Sequence, residues 1–157
     1  MKKTYLAITL AFLALTISSC SSDDDSSGND EITFDTLSGK VHGDNFTAMG
    51  GIAFYTNEET LSIDITNVEA GCESDNLSYE HYVSVVKVAA AEGTYSTNVA
   101  FGKKGETPYN SLQSTVIIDS INDSNVSLRL KVGYGKEEGF DNDDFIVEGA
   151  FTVPICQ

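Results

Sequence analysis

The sequence has no tryptophan, only two prolines and a single arginine, Arg129. Its 9 lysines and arginines stand against 24 aspartates and glutamates, for a net charge of −15. Each shortage excludes something. So few cations cannot neutralise a phosphate backbone, which excludes nucleic acid as a partner. Acidic partners and anionic lipid surfaces are disfavoured by the same charge, whereas cations and basic surfaces are permitted. Without tryptophan, glycan recognition by stacking is weakened, and Tyr55, Tyr79, Tyr109 and Phe140 near predicted loops are the aromatic candidates. No apolar run reaches the roughly 20 residues that a membrane-spanning helix requires.

Catalytic patterns are equally scarce. The two histidines, His42 near a predicted hairpin turn and His81 at a predicted strand start, fit neither H-x-x-x-H nor H-E-x-x-H, and both read as solvated or edge residues. No serine stands in G-x-S-x-G. "GKKGET", Gly102 to Thr107, lacks the spacing of a phosphate-binding loop and reads as an exposed loop carrying the only basic pair of residues 31–157, Lys103 and Lys104. The densest acidic stretch is "EEGFDNDD", Glu137 to Asp144, where Asp141, Asp143 and Asp144 offer hard oxygen ligands to Ca2+. It is not an EF-hand. Counted from Asp141, Phe145 and Ile146 fall where an Asx residue and a glycine are needed, so a solvated loop is the plainer reading. No enzyme activity and no obligatory cofactor are expected.

The first thirty residues are informative. Lys2 and Lys3 precede Leu6 to Ile17, a twelve-residue stretch interrupted only by threonines, which is the length of a secretory h-region. It ends Ile17-Ser18-Ser19-Cys20, and this run resembles the bacterial lipobox. The resemblance implies removal of residues 1–19, a diacylglycerol thioether on Cys20 and, in many Gram-negative bacteria, a third acyl chain on the new amino group. Two or more chains anchor firmly where one is marginal. Residues 20–30 then form a flexible acidic tether, since "SSDDDSSGND" contains nothing to bury. The acidic run after the cysteine also resembles the export signal of surface-exposed lipoproteins of Bacteroidota. It implies an outer-membrane, lipid-anchored protein displayed at the cell surface, with the periplasmic face as the alternative.

From Cys20 onward the chain holds 24 acidic and 7 basic residues, a net charge of −17, and residues 31–157 alone carry −13. Those 127 residues suit one domain. With Cys20 committed to lipid, Cys72 and Cys156 are an even pair in an oxidising compartment, and a disulfide between them is expected. Two cysteines at that spacing make no zinc site.

The domain reads as strands. Thr60 to Thr66 alternates Leu61, Ile63 and Ile65 with polar residues, and Val126, Leu128, Leu130, Val132 and Tyr134 share one face of the next clear alternation. "STVIIDSI" precedes that strand across Asn122-Asp123, a hairpin signal. A turn at Gly43-Asp44-Asn45, a bulge or close approach at Gly50-Gly51, and a strand end at Pro154 are also expected. "HYVSVVKVA" is apolar on both faces and reads as central. About eight strands with short connections predict an all-β, antiparallel β-sandwich, with a small β-barrel as the alternative.

"GKVHGDNFTA", "EGTYS" and "VEGAFTVPIC" resemble segments of small β-sandwich lipoproteins of Bacteroidota. The resemblance covers most of the domain and transfers no catalytic residue. Asp35-Thr36-Leu37 and Asp119-Ser120-Ile121 resemble the O-glycosylation motif of exported proteins from that group, which implies modification at Thr36 or Ser120. The function expected is a non-enzymatic interaction or structural module with a protein or glycan partner. A glycan- or calcium-binding module is the alternative, and a small hydrolase ranks last.

Overall fold

A computed structural model of the chain describes residues 31–74, 79–111, 114–133 and 144–157. The chain is all-β. In order, the strands are β1 (Ser38–Val41), β2 (Asp44–Thr47), β3 (Gly50–Asn57), β4 (Thr60–Thr66), β5 (His81–Ala89), β6 (Gly93–Tyr95), β7 (Asn98–Lys103), β8 (Tyr109–Ser111), β9 (Ser114–Ile121), β10 (Asn125–Gly133) and β11 (Phe145–Cys156). The described strands number eleven rather than about eight. The surplus comes from β2, β6 and β8, which are three or four residues long. A period of two cannot register over so short a run.

The strands form one open sheet that curls into two layers. One layer runs β6-β9-β10-β11, with β1 on the free edge of β11 and β2 beyond it; the other runs β3-β4-β5-β7-β8. All strand pairs are antiparallel except the junction between layers, where Ile155 and Cys156 of β11 pair in parallel with Ala53 and Phe54 of β3. Pro154, opposite Asn125, stands where β11 leaves β10 for this junction. A residue with no N–H is tolerated at the end of a ladder.

Both layers point into a single core. Leu61, Ile63 and Ile65 of β4, Val83, Val85 and Val88 of β5, and Val126, Leu128, Leu130 and Val132 of β10 are buried together with Phe46 and Phe101. Each such side chain contributes roughly 1.5–3 kcal/mol on leaving water. The alternation in β4 and β10 therefore follows the pleat as expected.

In β5 the pattern is different. The register slips between Leu61 and Ile63, so that Val88 faces Leu61 and Val85 faces Ile63. Lys87 takes up the extra residue at φ 56°. The bulge moves the inward set from Val83 and Val85 to Val88, which is why this segment looks apolar on both faces.

The first hairpin turns at His42-Gly43, one residue earlier than the glycine, aspartate and asparagine suggested. Val41 pairs with Asp44, and φ is 53° at His42 and 76° at Gly43. A two-residue hairpin of this hand needs positive φ at both central positions. Gly50 and Gly51 mark a close approach, as expected, since side chains there would strike the backbone at Ala70 and Asp64.

Candidate functional site

Cys72 and Cys156 are joined by a disulfide with a Cα separation of 5.3 Å. It ties the loop after β4 to the end of β11 at the junction between layers. Thr36 and Ser120 are both exposed. Thr36 pairs through its backbone with Ala150 of β11, alongside hydrogen bonds from Leu37 N to Ala150 O and from Ala150 N to Asp35 O. Asp144 is exposed, and its carbonyl accepts a hydrogen bond from Gly43 N. Cys20, Asp141, Asp143 and Phe140 lie outside the described residues. Among the described residues, no three His, Cys, Asp or Glu side chains gather as a metal site.

The two histidines are buried rather than solvated, and they end opposite arms of one network. Asn67 Oδ1 accepts hydrogen bonds from the backbone N–H groups of Glu80 and His81. This orients the Asn67 amide group toward His81 Nδ1, 3.4 Å away. Nδ1 therefore accepts, and Nε2 carries the proton that it donates to Asp44 Oδ2 at 3.1 Å. The same Asp44 oxygen lies 2.9 Å from Lys103 Nζ, which also reaches Glu106 Oε1 at 3.3 Å. Glu106 Oε2 accepts from His42 Nδ1 at 2.9 Å.

The His42 ring packs edge-on to Tyr109 and Phe145, with centroids 5.3 and 4.9 Å away. Its Nε2 is buried without a hydrogen-bond partner. Hydrogen bonds from Lys103 and then His81 hold the Asp44 carboxyl below the usual aspartate range. Asp44 and then Glu106 hold the Lys103 ammonium above the usual lysine value. Lys103 thus belongs to the end of β7 and to a closed network, not to a free basic loop. Both nitrogens of His81 are engaged, whereas His42, with its Nδ1 turned to Glu106, keeps an unshared electron pair on a buried Nε2.

Arg129 forms a second closed arrangement. Its Nε donates to both oxygens of Asp119, at 3.1 and 3.0 Å, and Nη2 donates to Oδ1 at 2.9 Å. Nη1 donates to the carbonyl of Ile32 at 3.1 Å, and the Phe34 ring centroid lies 4.1 Å from the guanidinium carbon. The sole arginine pins the first described residues onto the outer face of β10. A hollow of about 430 Å³ lies beside it, lined by Phe34, Phe151, Ser127 and Thr152 among others. The hydroxyls of Ser127 and Thr152 satisfy each other at 2.8 Å.

A second hollow, of about 230 Å³, lies on the outer face of β4 and β5 and is lined by Asp64, Tyr79, Tyr82 and Ser84. Register creates it. Asp64 faces Ser84 across the strand pair, and Tyr82 faces Gly102 on its other side. A side chain at Gly102 would sit 1.8 Å from Tyr82 Cε1, so the bare glycine lets the ring lie across the sheet. Tyr79 meets Tyr82 edge to face, at 4.8 Å and 72°. Burial pushes the Tyr82 phenol above its usual value, with the neighbouring Tyr79 and Asp64 adding to the effect. Among the described residues, no hydrogen bond or ion pair engages the polar side-chain atoms of these four residues.

Of the aromatic candidates named from the sequence, the structure brings Tyr79 to a hollow and leaves Tyr55 exposed. Tyr109 is packed against His42 and Phe145. Asp64 and Tyr82 were hidden by their strands, Asp64 as part of a polar face and Tyr82 within a segment that reads as apolar on both faces. The Tyr82–Gly102 opposition depends on the β5–β7 pairing, which no short motif announces. Compared with known proteins, the chain matches no family model, no curated protein and no solved structure.

Proposed function

We propose that this chain is a lipid-anchored, non-enzymatic binding module displayed at the surface of the outer membrane. The observation that carries the reading is the Cys72–Cys156 disulfide. The chain has three cysteines, and the disulfide consumes two, leaving Cys20 of the lipobox-like run as the odd one. A disulfide between distant strands also suits an oxidising compartment outside the cytoplasm.

Two further features support the reading. The domain's first described residues are fastened to β10 by Arg129, which fixes the start of the domain on the sheet. The His81 imidazole is committed to hydrogen bonds at both nitrogens, and the hollows described are open surfaces suited to contact rather than enclosed clefts. Exposure of Thr36 and Ser120 is compatible with O-linked glycans at a protein surface.

The test is replacement of the anchor. Cys20→Ser is expected to move the protein from the membrane to the soluble fraction and to abolish labelling by a fatty-acid probe. Membrane retention and labelling equal to wild type would defeat the reading.

A further inference from the structure

We propose that the hollow between Tyr79, Tyr82, Asp64 and Ser84 seats the guanidinium group of an arginine side chain from a partner polypeptide. This rests on the binding-module reading but not on the lipid anchor.

The polar clusters of the domain differ in how their carboxylates are matched. At Asp44 and at Asp119, each carboxylate is already matched by cations or an imidazole within 3.1 Å. Asp64 is half-buried and has no such partner among the described residues, and neither do the phenols and the hydroxyl around it. A carboxylate withdrawn from water without a counter-charge gains most from an incoming cation.

The shape narrows the choice of ligand. At about 230 Å³ the hollow is smaller than the roughly 300–1,000 Å³ that accommodates a small-molecule ligand, so it fits one side chain of a larger partner. Its walls are two tyrosine rings at a steep angle with an acid at the side. A planar guanidinium stacks on an aromatic face and forks to a carboxylate, which a compact, strongly hydrated ammonium does less well. The Gly102 gap fixes the Tyr82 ring in advance, so little ordering is needed on binding.

Charge agrees. Residues 31–157 carry 20 acidic and 7 basic residues, and such a field draws in a basic partner while leaving a neutral sugar unaffected.

The experiment is a titration of the full-length chain in neutral detergent, followed through the ring resonances of Tyr79 and Tyr82. The probes are the capped tripeptides Gly-Arg-Gly and Gly-Gln-Gly and, as a sugar control, methyl glucoside. The arginine peptide is expected to shift both rings saturably, and added sodium chloride to weaken it. Asp64→Asn is expected to weaken it roughly fivefold, the size of a partly solvated ion pair. Tyr79→Leu, a second variant at the rim, is expected to weaken it by a similar factor, with resonances elsewhere in the domain unmoved. No response to the arginine peptide, an equal response to the glutamine peptide or sugar, or undiminished binding by Asp64→Asn would each overturn the proposal. None of these outcomes depends on where the protein resides, so the binding result and the anchoring result stand or fall separately.

Discussion

His81 and Asp44, 37 residues apart in sequence, meet with Nε2 3.1 Å from Oδ2. Because Asn67 fixes the other ring nitrogen as an acceptor, the contact locks the start of β5 to the start of β2. Lys103 closes the arrangement from β7. Three strands far apart in sequence are held at one end of the fold by complementary groups.

The pH dependence of stability follows from these shifts. Asp44 is held below its ordinary value, so its contribution is present above about pH 4 and is lost as pH falls through the lower, folded value. Lys103 is held above its ordinary value, so its contribution is complete below about pH 10.4 and is lost as pH rises through the higher, folded value. Urea midpoints across both ranges are expected to fall less in Asp44→Asn than in wild type on the acid side. Likewise, Lys103→Met is expected to flatten the alkaline side. Parallel curves for wild type and variants would show that the network is not linked to folding.

Lys87 and His42 share a left-handed backbone, at φ 56° and 53°, but differ in what their side chains do. Lys87 is exposed, whereas the His42 ring is held between Glu106, Tyr109 and Phe145. Lys87→Gly removes the steric cost and is expected to stabilise the domain by up to about 1 kcal/mol. His42→Gly relieves the same strain but deletes a buried ring, and it is expected to destabilise. Equilibrium denaturation of the two variants tests this opposition of sign.

The disulfide spans 84 residues of sequence. In the chain-entropy account such a closure contributes about 4–5 kcal/mol. Cys156→Ser is expected to lower the unfolding free energy by roughly this amount under oxidising conditions. In strong reductant the variant and wild type should converge, as checked by denaturant midpoints.

Gly102→Ala is expected to drive the Tyr82 ring off the sheet, at a cost of about 1–3 kcal/mol for overfilling a packed position. Once displaced, the phenol is more hydrated. Its ionisation should then move down toward the ordinary tyrosine value, seen in the alkaline ultraviolet titration of the seven tyrosines. An unchanged titration would mean that the glycine does not position the ring.

The sequence was most legible where one face of a strand is wet and the other dry. β4 and β9 were read to their last residue, and the alternation of Val126, Leu128, Leu130 and Val132 was read correctly because β10 obeys the pleat throughout. The Cys72–Cys156 pair was legible by elimination once Cys20 had another use. β5 was read as central, and it lies between β4 and β7; its apolar look on both faces comes from the bulge at Lys87, which changes the inward phase within the strand. The histidines were misread because their burial depends on partners 37 and 64 positions away, Asp44 for His81 and Glu106 for His42. The hollow at Tyr82 had no local signal at all, since it is made by the absence of a side chain on a neighbouring strand.

We propose that Cys20 begins the mature protein and carries lipid. The most direct measurement is the intact mass of the membrane-extracted protein, combined with sequencing of its N-terminal peptide. The expected result is a chain beginning at Cys20, heavier than residues 20–157 by at least a diacylglyceryl group on the sulfur, with Cys72 and Cys156 oxidised. A chain that retains residues 1–19, or one that bears an unmodified thiol at Cys20, would contradict it.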